Sequence, residues 1–348
     1  MLSLRLKSLK AYNTETSKAK IKLSSNELPY ELPDYLKTRI AQEISKIPLN
    51  RYPDPLCAEL KEVLADFFGI KESNILLGNG SDELIYYIST AVGELNEAVL
   101  IPVPTFPMYE IISRTLGRPR IEVLLKEDFD LDLEKILEVF KERKPILAYF
   151  SFPNNPTGNL FSKEKIERIR SEGLFAVLDE AYYHYSGNTF LKDALEREDT
   201  VVLRTLSKIG LAGLRIGILI GKEEIIKELD KIRLPFNITY PSQVAAVLIL
   251  REGREFIEQS IKKVVSERQR VYFELQNIKG VEVFPSKANF ILFRTPYPAS
   301  FVHEELLKRG VLIRNMSYLP GLERCLRVSI GKEEENDAFL EALSEVIK

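Results

Sequence analysis

The residues best suited to chemistry fall in four short polar clusters, each placed just after a run of apolar residues. Lys208 ends Arg204-Thr205-Leu206-Ser207-Lys208 and is followed by the glycine-rich Gly210-Leu211-Ala212-Gly213-Leu214-Arg215. An ordinary lysine is a solvated surface charge. One that follows a β-branched strand inside a glycine-rich stretch is desolvated, which lowers its pKa and makes it a competent amine nucleophile. In Leu178-Asp179-Glu180-Ala181-Tyr182 a carboxylate ends an apolar run, a costly placement unless a cation or hydrogen-bond donors face it. Pro153-Asn154-Asn155-Pro156-Thr157-Gly158 marks a tight loop. Gly78-Asn79-Gly80-Ser81-Asp82-Glu83 joins an apolar run to a helical pattern, where glycines permit close backbone approach and free helix amides suit a phosphate. Each cluster alone also reads as a turn, a helix cap or a surface charge.

Taken together they supply an amine for an aldehyde, a carboxylate for a protonated ring nitrogen, and a phenol and an amide for a ring hydroxyl. Hydroxyls, backbone amides and Arg215 remain for a phosphate. That inventory matches pyridoxal 5′-phosphate (PLP) better than a nucleotide. Gly78–Gly80 lacks the lysine of a P-loop, and no Gly-x-Gly-x-x-Gly fingerprint is present.

The elements that must position these groups alternate in type. Strand-like runs at Ile75–Leu77, Ala98–Ile101, Ile121–Leu124, Ile146–Phe150, Phe175–Leu178, Val201–Leu203 and Ile216–Ile220 are separated by helical patterns at Ser81–Val92, Thr105–Leu116, Leu133–Arg143 and Lys163–Ser171. Alternation of this kind predicts an α/β fold with a doubly wound, mostly parallel sheet. Ligands of such sheets collect at the carboxyl ends of the strands. The texture changes after Pro235. One long helix is expected over Ser242–Ile278, then strands at Val281–Phe284, Phe290–Phe293, Val311–Arg314 and Cys325–Ile330, with helices at Ala299–Arg309 and Glu333–Lys348. These form a second, smaller α+β domain.

At 348 residues the chain has room for two domains. A net charge of −2, from 49 basic and 51 acidic residues, favours neither nucleic acid nor an anionic membrane as partner. Only His184 and His303 are available, which argues against a histidine-based triad or a multi-histidine metal site, so no metal is expected. Cys57 and Cys325 lack metal-ligand spacing and read as reduced thiols of a cytoplasmic protein. Residues 1–10 alternate Leu with Lys, Arg and Ser and lack the apolar core of a signal peptide. Val201–Gly221 is interrupted by Arg204, Lys208 and Arg215, too polar for a membrane span. Abundant Lys and Glu with few Cys, Met and Gln is the bias of thermophilic proteins.

These clusters, in this order, resemble the PLP-dependent aminotransferases of fold type I, and within them the histidinol-phosphate aminotransferase family. The resemblance also rests on Leu23-Ser24-Ser25-Asn26-Glu27, Asn50-Arg51-Tyr52-Pro53-Asp54-Pro55 and Arg327-Val328-Ser329-Ile330-Gly331, and runs through most of the chain. It implies an aspartate-aminotransferase-like fold with a seven-stranded central sheet. An N-terminal arm would cover 1–28, a large cofactor domain 29–240 and a small domain 241–348. Lys208 would hold the cofactor as a Schiff base and shuttle a proton. Asp179 would pair with the pyridinium nitrogen, and Tyr182 and Asn155 with the ring oxygen. The amides of Ser81 and Asp82, with Thr205, Ser207 and Arg215, would hold the phosphate. Tyr52 would reach the partner's cofactor phosphate, implying a homodimer with shared sites. The family usually stacks a tyrosine on the ring, whereas Phe106 stands here; stacking needs only the ring face. The seven-residue spacing from Lys208 to Arg215 is short for the family, and Arg204 is the one nearby competitor for the phosphate.

The resemblance further implies that Arg327 and Arg314 bind the phosphate of the substrate, with Tyr12 and Asn26 close to it. Two arginines suit a dianion, and also the distal carboxylate of glutamate. The implied reaction moves an amino group between L-glutamate and imidazole-acetol phosphate in two half-reactions through pyridoxamine phosphate, giving L-histidinol phosphate and 2-oxoglutarate. Rival readings are a threonine-phosphate decarboxylase, a broad aromatic or aspartate aminotransferase, and a non-catalytic PLP-binding regulator.

Overall fold

The computed structural model describes residues 17–348, with Lys7 and Leu9 besides; Tyr12 lies outside the described residues. A short strand, β1 (Ile21–Lys22), precedes helices Asp34–Ile44 and Ala58–Phe68. Seven strands then build one sheet: β2 (Ile75–Asn79), β3 (Val99–Val103), β4 (Arg120–Leu124), β5 (Leu147–Ser151), β6 (Phe175–Asp179), β7 (Thr200–Thr205) and β8 (Ile216–Ile220). Their order is β2-β8-β7-β6-β5-β3-β4. All seven runs expected to be strands are present. Every residue of β5, β7 and β8 is buried, as strands covered on both faces require.

Helices between the strands supply that cover. Leu133–Glu142 shows how the sequence does it: the Asp132 side chain accepts from the Lys135 amide at the N-cap, and Ile136 and Phe140, one turn apart, turn inward.

One reversal decides where the site lies. All sheet neighbours are parallel except at β8, which is antiparallel to both β2 and β7. The carboxyl ends of β2, β5, β6 and β7 therefore share one edge with the beginning of β8. The segment from Lys208 to Arg215 crosses that edge on its way from β7 into β8.

Two expectations for the C-terminal part need correction. The long helix expected over 242–278 is two helices, Tyr240–Glu252 and Arg254–Asn277. They break at Gly253, where a Cβ would sit 2.8 Å from Leu36 Cδ1 and 2.9 Å from the Ile249 carbonyl oxygen. After β9 (Glu282–Val283), β10 (Phe290–Arg294) and helix Ala299–Lys308, the single strand expected over 311–314 is two strands, β11 (Val311–Leu312) and β12 (Arg314–Asn315). They serve different partners. β11 pairs in parallel with β1, whereas β12 pairs antiparallel with β13 (Cys325–Ser329). The second sheet runs β12-β13-β10-β9, and helix Glu333–Ile347 ends the chain. Residues 21–23 run along this part, with Leu23 donating to Leu312 O and accepting from the Ser329 amide. No described helix is long and apolar enough to cross a membrane.

Candidate active site

A cavity of about 230 Å³ opens at the edge where those strand ends meet. Its lining gathers Ser81, Asp82, Phe106, Asn155, Asp179, Tyr182, Thr205, Ser207, Lys208, Arg215, Arg314, Arg327 and Asn26. Thirteen of the fifteen residues singled out from the sequence thus come together. Tyr12 is outside the described residues, and Tyr52 lies elsewhere, 78% exposed and stacked on Phe236 at 4.4 Å.

At the β2–β8–β7 side the backbones approach closely. The Gly80 amide donates to Arg215 O at 2.8 Å. A Cβ on Gly217 would lie 2.4 Å from the Gly80 carbonyl carbon, and one on Gly80 would lie 2.4 Å from Arg215 Nη2, so only glycine serves at either position. Gly80 is the N-cap of helix Ser81–Ala91 and no side chain caps that helix, which leaves its first amides for an external acceptor. Around them stand Thr205 Oγ1, 2.9 Å from Ser207 Oγ, and Arg215, whose Nη1 is 3.5 Å from Ser207 Oγ. Arg215 Nη2 is 3.6 Å from Asp82 Oδ2. Asp82 Oδ1 is buried with no hydrogen-bond partner, and burial raises its pKa against the pull of Arg215. This cluster of amides, hydroxyls and one guanidinium is shaped for a phosphate.

Arg204 is no competitor for that role. It is buried in an ion pair with Glu180 (2.8 Å), and its guanidinium lies 3.8 Å over the Tyr183 ring. The pair stands directly behind Asp179 in the chain and holds the turn that follows β6 through Thr189 and the Phe190 amide.

One strand along, Asp179 ends β6 with its carboxylate buried. Its Oδ1 accepts from the Ala181 amide (3.1 Å) and its Oδ2 from Tyr109 Oη (2.5 Å). Burial pushes its pKa up to about 6, while these two donors and Lys208 pull it down. Lys208 Nζ is 3.4 Å from Ser25 O, and its pKa falls to about 8 because of burial first and the nearby Arg327 second. At pH 7.5 a group titrating near 8 is about one-quarter neutral, against about one part in a thousand for an ordinary lysine. A nucleophilic amine is thus available at neutral pH.

The small-domain side contributes Arg327 on β13 and Arg314 on β12, paired residue against residue across the antiparallel ladder. Like charges directly opposite are unfavourable in an empty sheet and become an asset when an anion bridges them. Arg327 Nη1 donates to Asn155 Oδ1 (2.5 Å) and Nη2 to Ser24 O (2.9 Å), while its guanidinium lies 5.2 Å from the Phe290 ring.

Sequence reasoning did not single out Tyr109, Ser151 or the serines 24 and 25 individually. Tyr109 was detectable in principle, three residues after Phe106 on one helix face, but only the fold shows that its hydroxyl meets Asp179. The histidines are not at the cavity: His184 packs on Phe67, Phe68 and Tyr183, with its pKa lowered to about 3 by burial.

A mostly parallel sheet with an amine, a buried carboxylate and a phosphate cradle along one edge defines a fold-type-I enzyme. The model of the family described as Aminotransferase class I and II matches residues 18–343, and the chain belongs to that family. It is 65% identical over 348 residues to the histidinol-phosphate aminotransferase of Aquifex aeolicus, covering 100% of this chain and 98% of that one. It is 48% identical to the histidinol-phosphate aminotransferase of Hydrogenobaculum sp., covering 99% and 98%. The histidinol-phosphate aminotransferase of Sinorhizobium meliloti, solved in complex with pyridoxal-5′-phosphate, superposes with a TM-score of 0.88 at 25% identity, covering 99% of this chain and 97% of that one.

Proposed function

We propose that this protein is a PLP-dependent aminotransferase that moves the amino group between L-glutamate and imidazole-acetol phosphate, giving L-histidinol phosphate and 2-oxoglutarate. The observation that carries the substrate choice is the Arg314–Arg327 pair, set opposite each other at the cavity that holds Lys208. A phosphate dianion satisfies both guanidiniums at once, and glutamate's distal carboxylate meets the same pair in the other half-reaction. The relatives named above carry the same activity in their names.

The residues at the cavity fit PLP, which supplies an aldehyde for an amine and a protonated ring that takes up the electron pair left when an α-proton departs. Lys208 Nζ is the group that attaches to the aldehyde and then takes the α-proton. The Asp179 carboxylate faces the ring nitrogen and keeps it protonated. Tyr182 and Asn155 hold the ring oxygen, and Phe106 lies on the ring face. The Ser81 and Asp82 amides, Thr205, Ser207 and Arg215 hold the phosphate. Asn26 and Tyr12 belong to the segment near the substrate.

We divide the chain into an arm at 1–28, a large domain at 29–240 and a small domain at 241–348. We further propose a cytoplasmic homodimer in which Tyr52 completes the partner's phosphate site. Tyr52, Leu49, Leu56 and Leu234 are exposed large apolar residues with no role in this chain's own cavity.

The test is an assay of purified protein with histidinol phosphate and 2-oxoglutarate against phenylalanine, aspartate and threonine phosphate, reading glutamate and carbon dioxide. A preference for histidinol phosphate is expected. Carbon dioxide from threonine phosphate, or equal rates on phenylalanine or aspartate, would replace the substrate assignment.

A further inference from the structure

Asn26 lines the cavity, yet its side chain is nearly inaccessible and its polar atoms are already engaged. Its backbone amide donates to Ser329 Oγ (2.8 Å), and its Oδ1 accepts from that hydroxyl (2.9 Å). Its carbonyl accepts from Asn289 Nδ2 (3.0 Å). Its own Nδ2 donates to Tyr182 Oη at 3.0 Å. Ser329 ends β13 and Asn289 directly precedes β10, so the anchor is the second sheet, while the group served is a phenol just past the end of β6 in the first. The backbone here is left-handed, φ +55°, a conformation asparagine tolerates better than most side chains.

Its neighbours in the chain make the placement more telling. Three consecutive residues each reach a different group of the site. Ser24 O accepts from Arg327 Nη2, Ser25 O faces Lys208 Nζ, and Asn26 Nδ2 reaches Tyr182 Oη. The segment is tied to the second sheet through Leu23, whose carbonyl accepts from the Ser329 amide. A shift of Arg327 or of the β13 end thus moves the donor that serves Tyr182.

We infer that Asn26 is a positioning residue for the transamination: it holds and polarises the Tyr182 hydroxyl, and so links the arginine side of the site to the cofactor side. A phenol oxygen that accepts one hydrogen bond becomes a stronger donor in the next, because the bonds in a chain polarise one another. With Asn26 in place Tyr182 donates more strongly to the oxygen it faces and favours that oxygen's ionised state. The inference rests on the proposed role of Tyr182 at the cofactor's ring oxygen.

The experiment uses holoenzyme of wild type, Asn26→Asp and Ser329→Ala. Aspartate keeps the shape, tolerates the left-handed backbone and retains the acceptor for Ser329, but cannot donate to Tyr182. Ser329→Ala leaves the amide present and loosens its anchor. The pH midpoint of the bound cofactor's visible absorbance is expected to rise by about half a pH unit or more in Asn26→Asp, the worth of one modest hydrogen bond. A smaller rise in the same direction is expected in Ser329→Ala, and the double variant should match Asn26→Asp alone, as linked residues do. In Asn26→Asp, kcat should fall about tenfold with KM for histidinol phosphate changed less than about threefold. An unmoved midpoint in both variants, or a rise in KM with kcat intact, overturns the inference and leaves Asn26 a substrate contact. Failure of the wild type to bind PLP would instead overturn the reading of the site itself.

Discussion

Removing one oxygen atom from Tyr109 probes how the buried carboxylate is kept ionised. Tyr109→Phe deletes the hydroxyl that donates to Asp179 Oδ2 at 2.5 Å and leaves the Ala181 amide as the remaining donor. The ring itself stays packed, stacked on Tyr149 at 4.7 Å and 6°, so the fold is expected to survive. A hydrogen bond to a charged acceptor contributes about 2 kcal/mol, which converts to about a thirtyfold change in the carboxyl group's affinity for a proton. The sign follows from what the donor does. It favours the carboxylate, so its loss favours the carboxylic acid and raises a pKa that burial has already brought to about 6. An uncharged carboxyl no longer opposes the ring nitrogen with a negative charge, and the ring is then a weaker electron acceptor. The acid limb of kcat/KM should move to higher pH, with kcat near neutrality down about tenfold or more and PLP held less tightly by equilibrium dialysis. The thermal midpoint should change by only a few degrees. If the pH profile and the PLP affinity of Tyr109→Phe match those of the wild type, Tyr109 does not tune Asp179 and the electrostatic reasoning fails.

Three further outcomes are expected. In protein stripped of cofactor, the initial rate of borohydride-trapped PLP attachment at Lys208 should rise with pH to a plateau with its midpoint near 8, and Lys208→Ala should show neither tag nor transamination; a midpoint near the ordinary 10.5 would mean the amine is not desolvated. Arg314→Ala should raise KM for histidinol phosphate by about tenfold to a hundredfold, the worth of a charge-assisted contact, with a smaller effect on glutamate; equal effects on phenylalanine would remove the phosphate from the argument. Arg204→Met should cost about 3–5 kcal/mol by stranding the buried Glu180, and adding Glu180→Gln should recover part of the loss in urea midpoint; a neutral single variant would show that the pair does not hold the β6 turn.

The chemistry of this protein was legible in its sequence because its reactive groups sit where strands end, and strands buried on both faces are plain apolar runs. Ile146–Phe150, Phe175–Leu178 and Val201–Leu203 announced β5, β6 and β7, so the loop at Asn155, the carboxylate of Asp179 and the amine of Lys208 followed directly. What local pattern could not say was which groups meet. Helical periodicity ran unbroken across Gly253, and the break there comes from Leu36, more than two hundred residues away. One apolar run at 311–314 fed two sheets because its halves found different partners, β1 and β13. The same pairing of β12 with β13 set Arg314 against Arg327, and the antiparallel β8 brought Arg215 back to the edge where β2 and β7 finish. Tyr109 reaching Asp179, Arg204 withdrawn to Glu180, and Asn26 bridging Ser329 and Tyr182 are contacts across 70, 24 and 303 or 156 residues. Residue type and spacing determine which elements form and which groups they carry. Separations that long are set by how the sheets and helices pack, and only the folded chain decides them.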